Sequence, residues 1–133
     1  MGAQERDISY LDEVVEVGVR YLKGDGLEQS YQNAFEILAV AAIEGHPEAQ
    51  YIIGVVYDEG RGVRQSYKKA FKWYKLAAEQ GNGRAQYRLA QMYKRGEGVK
   101  VSRFRAMRWF RKAALNKYER IPLGSLFDPE STI

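Results

Sequence analysis

The chain of 133 residues has no cysteine and a single histidine, His46. The first absence excludes disulfides, a thiol nucleophile and cysteine-ligated zinc. The second excludes a multi-histidine metal site and a histidine-rich active centre. Long apolar runs are also missing. The longest, Ile37 to Ile43, spans seven residues, far short of the roughly 18 that a membrane-spanning helix requires. The first ten residues, MGAQERDISY, hold no apolar secretory core. A cytoplasmic location is therefore the default expectation, and a periplasmic or secreted one follows only if a signal has been removed. Acidic residues are nearly absent from one segment. Residues 82–117 contain Glu97 alone against eleven Lys and Arg, whereas residues 1–50 contain ten acids against three bases. The overall +4 charge thus conceals a dipole along the chain.

What is abundant is ordered at a period of 36. Gly18, Gly54 and Ala90 correspond, as do Tyr21, Tyr57 and Tyr93. Gly24, Gly60 and Gly96 follow, then Gly26, Gly62 and Gly98, then Ser30, Ser66 and Ser102. Ala34, Ala70 and Ala106 match, and so do Ile37, Trp73 and Trp109. The pairs Ala41-Ala42, Ala77-Ala78 and Ala113-Ala114 close each unit. A fixed period of this length is the signature of stacked supersecondary units. Apolar periodicity predicts helices near 9–23, 30–44, 47–59, 66–80, 83–95 and 102–116. Ser9 with Asp12 reads as a capping box, Pro47 as a first-turn proline, and each Gly-x-Gly as a helix stop.

These residues resemble a known family. The pattern A-x-x-x-I-G-x-x-Y-x-x-G-x-G-V from Ala49, followed by K-A-x-x-W-Y-x-x-A-A-x-x-G from Lys69, is similar to the Sel1-like repeat, a relative of the tetratricopeptide repeat. Ala85–Lys117 is a close second copy, and 13–45 a degenerate one with Glu13 at the first alanine position. The predicted class is all-α: a right-handed α-solenoid of antiparallel helix pairs forming a single domain. Its repeats fall near 9–45, 46–81 and 82–117, with a tail at 118–133 expected to fold back as a cap or, alternatively, to dock into another molecule. The resemblance implies a protein-binding role and no shared catalytic residues. No cofactor or metal is expected.

In the first helix of each unit one face repeats and the other varies. The varying stripe is Glu16, Val19, Arg20 and Lys23, then Ile52, Val55, Val56 and Glu59, then Arg88, Gln91, Met92 and Arg95. If first helices line the concave surface, Ile52, Val55, Val56, Glu59, Arg88, Gln91, Met92 and Arg95 are the expected partner contacts. An exposed apolar trio at Ile52, Val55 and Val56 would be a partner patch; the other reading buries it against a neighbouring helix or the tail. The basic third unit suits a protein partner with an acidic surface. Its basic residues interleave with Phe104, Trp109 and Phe110, as in nucleic-acid binders, but two of these rings sit at the packing positions of Trp73 and Tyr74. The dipole also permits head-to-tail self-association. The functional expectation is a non-enzymatic adaptor or scaffold, with a dedicated inhibitor, such as an immunity protein neutralising a secreted bacterial toxin, as the alternative. His46 beside Pro47 reads as a helix cap, and the three Gly-x-Gly turns lack the strand and third glycine of a phosphate loop.

Overall fold

The computed structural model describes residues 9–116; the expected capping role of the tail concerns residues outside this range. The described residues form six helices and no strand: α1 (Tyr10–Lys23), α2 (Tyr31–Ile43), α3 (Pro47–Glu59), α4 (Tyr67–Glu79), α5 (Gly83–Arg95) and α6 (Arg103–Leu115). Each boundary lies within one residue of the sequence expectation. Every helix packs on the next in chain order, which gives three helix pairs in a row. One continuous core runs through them, from Leu11 to Ala106.

Local chemistry sets the ends. Ser30, Ser66 and Ser102 have extended backbones, and each hydroxyl accepts from the backbone N–H three residues on, at 3.1 to 3.2 Å. Such a cap is worth about 1 kcal/mol. Gly24, Gly60 and Gly96 stop α1, α3 and α5 with φ near +70°, a conformation that only glycine reaches without a β-carbon clash. The capping box expected at the start of α1 does not form. Ser9 has helical dihedrals and its side chain makes no cap hydrogen bond. The Asp12 carboxylate instead accepts from His46, 2.7 Å away. His46 itself caps α3: its Nδ1 accepts from the Ala49 N–H at 3.2 Å, so its Nε2 carries the proton given to Asp12.

Two buried glutamines tie successive units together. Gln50 and Gln86 occupy the same repeat position, and each donates to a carbonyl at the end of the preceding unit, Ala42 and Ala78. Gln80 then donates to Gln50 at 2.7 Å, and Asn116 donates to Gln86 at 2.6 Å. The first unit has Val14 at this position and no such tie. Among the described residues every buried side-chain nitrogen and oxygen has a hydrogen-bond partner.

Glycines permit the close approaches. A β-carbon on Gly54 would lie 2.7 Å from the Tyr74 ring, and one on Gly18 would lie 2.5 Å from Leu38. The second glycine of each later turn seats against the preceding unit: Gly62 on Tyr31, and Gly98 on the Tyr67 carbonyl. Replacing Gly98 with Ala therefore combines strain at φ +71° with a backbone collision. Urea denaturation should show a loss of at least about 2 kcal/mol. Gly81→Ala, at φ +95° but with open space around its β-carbon, should lose less.

Candidate protein-interaction surface

The structure corrects the expected contact stripe. Ile52 and Val55 are 0 % exposed and Val56 is 1 % exposed; they are core, not a patch. Met92 and Arg88 are buried as well, and Gln91 is half-buried. Only Glu59 and Arg95 of the eight stand exposed. The physical reason is that in α3 and α5 this side packs back onto the preceding unit, as the contact of Arg88 with Asp58 of α3 shows. It varies between units because each junction solves its packing with different chemistry.

At the junction between the second and third units the solution is ionic. Arg88 of α5 forks onto Asp58 of α3, with Nε to Oδ2 at 2.7 Å and Nη2 to Oδ1 at 2.9 Å. Its Nη1 donates to Glu97 at 2.8 Å. The Tyr74 hydroxyl donates to the same Asp58 Oδ2 at 2.8 Å. The Arg88 and Asp58 side chains are 9 % and 5 % exposed. Burial works against the guanidinium charge, but hydrogen bonds to Asp58 and Glu97 outweigh it and hold Arg88 above its ordinary range. Burial, followed by the negative charge of Asp58, raises the Tyr74 phenol well above its ordinary value. At the junction between the first and second units, the two equivalent positions carry Leu22 and Ile52, both fully buried. One seam is greasy and the next is a salt bridge.

With the stripe enclosed, the accessible chemistry lies elsewhere. An open pocket of about 280 Å³ forms where α4, α5 and α6 meet. Lys75, Arg105, Arg108 and Lys112 line it with Tyr93 and Trp109, and no carboxylate among the described residues does. Lys112 Nζ lies 4.5 Å from the Trp109 ring centroid, and the Arg105 guanidinium lies 6.0 Å from that of Tyr93. Cation–π contacts of this kind hold long cationic side chains over a ring face. Trp109 also packs on the core, so its repeat position explains its presence but not the four bases around it. Sequence reasoning found the basic residues and missed this convergence. The signal was the spacing Arg105, Arg108, Trp109, Lys112, which is one helical face. Among the described residues no helix is long and apolar enough to cross a membrane, and no group of three or more potential metal-ligating side chains comes together.

Tandem helix pairs stacked through a common core define an α-solenoid repeat protein. The chain belongs to the Sel1 repeat family, whose model matches residues 15–46, 47–82 and 83–118. A Sel1 repeat protein from Oxalobacter formigenes is similar at 41 % identity over 82 % of both chains, with a TM-score of 0.77. A protective antigen of uropathogenic Escherichia coli strains, displaying an SLR fold, is 37 % identical with a TM-score of 0.79; the match covers 82 % of this chain and 23 % of that one. Cysteine-rich protein B of Helicobacter pylori shares the fold, with a TM-score of 0.68 at 19 % identity over 88 % of this chain and 96 % of its own. None of the curated proteins compared with the chain matches it. Sel1 repeats are generally protein–protein interaction modules, and the proteins built from them are generally non-enzymatic scaffolds.

The ionic seam makes two predictions. Arg88→Ile alone strands a buried carboxylate and should lower stability by about 3–5 kcal/mol in chemical denaturation. Combining it with Asp58→Leu and Tyr74→Phe recreates the greasy seam of the first junction and should recover most of that loss. The second concerns alkaline pH. Because the folded Tyr74 holds its proton more tightly than the unfolded chain does, its contribution is complete below the unfolded phenol value of about 10. It declines as pH rises beyond that. Melting curves above that value should fall more steeply for the wild type than for Tyr74→Phe.

Proposed function

We propose that the chain is a non-enzymatic adaptor or scaffold that holds a partner protein by an acidic surface. We place the docking point at the pocket between α4, α5 and α6. The observation that carries this reading is the pocket lining, four cations and two aromatic rings with no neutralising acid among the described residues. The lining bases repel one another and have an unmet demand for counter-charge. An acidic segment would supply that charge, while the half-buried Trp109 offers ring surface for apolar contact at its centre. The net charge of 82–117, ten positive, would steer such a partner toward this end before contact. Phe104, 71 % exposed with Arg108 over its ring, extends the basic–aromatic surface beyond the pocket rim.

Fluorescence anisotropy with a labelled Glu- and Asp-rich peptide tests the reading. The wild type should bind, and the double variant Arg105→Glu, Lys112→Glu should bind at least about tenfold more weakly with unchanged helicity. No binding at low salt would refute it. A labelled single-stranded oligonucleotide that binds more tightly than the peptide, with a steep dependence on log salt, would favour nucleic acid instead.

A further inference from the structure

The three units are not equally covered. Ala42 and Ala78 are each 1 % exposed beneath the following unit, whereas Ala114, at the same repeat position, is exposed. Phe35 and Phe71 pack edge-on against Tyr57 and Tyr93 of the following unit, with centroids 5.8 and 5.4 Å apart. The equivalent residue in α6, Met107, is 72 % exposed. The position of Leu22 and Asp58 is taken in the third unit by Lys94, which is exposed and makes no ion pair among the described residues. Among the described residues the opposite end is open in the same way. Ala49, Ile52 and Ile53 are buried against the preceding unit, while their equivalents in α1, Glu13, Glu16 and Val17, are exposed.

These two open ends complement one another in the register that the molecule already uses. Arg88 reaches Asp58 across the second junction. Applying the same step from the third unit to the first unit of another copy sets Lys94 against Glu16, the same ionic seam with its signs reversed. Met107 falls against Tyr21, where the other seams carry a ring pair; a thioether on an aromatic ring is also favourable. The turn that seats on Tyr31 and Tyr67 in this chain becomes Gly24-Asp25-Gly26 seated on Arg103, which brings Asp25 to a base. Arg20, which donates to the Asp25 carbonyl at 3.1 Å and covers Gly26, has to swing aside for this seat to form. The opposed charge of the two ends, acidic over 1–50 and basic over 82–117, favours this orientation over a symmetric one.

We propose that the exposed end of α5 and α6 is a docking surface for the first unit of a second copy of this chain, joined head to tail through Lys94 and Glu16. The surface is separate from the basic pocket. With about 100° per residue, Arg103, Met107 and Ala114 lie on roughly the opposite side of α6 from Arg105, Trp109 and Lys112. A head-to-tail contact is heterologous and leaves one free end at each terminus, so association continues beyond the dimer.

Sedimentation velocity of the full chain at low ionic strength, from micromolar to millimolar concentration, tests this. The wild-type sedimentation coefficient should rise with concentration. Lys94→Glu and Glu16→Lys, each with unaltered far-ultraviolet circular dichroism, should each weaken association at least about tenfold by placing like charges in contact. An equimolar mixture of the two variants should associate again, because each mixed contact restores an opposite pair. A wild type that stays monomeric throughout would overturn the proposal. So would association that neither reversal weakens, or a mixture no more associated than its components.

Discussion

A carboxylate as enclosed as Asp58 is tolerable only with a cation at hydrogen-bond distance, and its cation belongs to the next repeat. The Arg88 fork therefore fixes the third unit against the second in angle as well as in distance, because two parallel N–H donors meet two oxygens in one plane. The same bond network orients Tyr74, whose ring lies over Gly54, and gathers Glu97 from the turn after α5. Removing Arg88 leaves the buried Asp58 carboxylate with only the Tyr74 hydroxyl as a partner among these residues. The neighbouring seam of Leu22 and Ile52 carries no such directionality and relies on shape.

The helices and their caps were legible in the sequence because their causes are local. A serine three residues before the N–H it caps and a glycine at a left-handed stop act within one turn of the chain. The paired alanines and the small residue at Gly54 were legible because they recur, but that the Tyr74 ring lies over Gly54 was not. The junctions were not. Three different residues at one repeat position, Glu16, Ile52 and Arg88, read equally well as a surface free to vary and as a seam whose partner varies with it. The deciding information lay 30 residues upstream, in Leu22 for Ile52 and Asp58 for Arg88. Gln50 and Gln86 carried a similar hint, since an uncharged polar residue stood twice at one position within an apolar helix face. The Ser9 cap is absent because Ser9 has helical dihedrals, and the Asp12 N–H bonds to the Ser9 carbonyl instead of its hydroxyl.

Charge and packing are thus assigned to different sides of the same helices. Along α6, Ala106 and Ala113 face inward, the basic ring-bearing face forms the pocket, and the Met107 face looks along the solenoid axis. The pocket and the axial face share no lining residue. A molecule held in one leaves the other accessible, so a row of joined copies would present its pockets at a fixed spacing. Binding of a multivalent partner would then be governed by effective concentration rather than by the strength of one contact.

The Gln50–Gln80 and Gln86–Asn116 ties have a counterpart in how the molecule comes apart. In a solenoid whose units touch only nearest neighbours, free energy is a sum of local terms. With Val14 in place of a glutamine, the first unit joins this ladder of amides only as an acceptor, through the carbonyls of Ala42 and Gly45, and it has a single flank held by a neighbour among the described residues. The middle unit is clamped on both flanks, by a greasy seam on one side and an ionic seam on the other. Opening is therefore graded along the axis. The acidic end frays at lower free energy than the centre, and backbone amides in α1 and α2 exchange their hydrogens with solvent through that fraying, before those of α3 and α4.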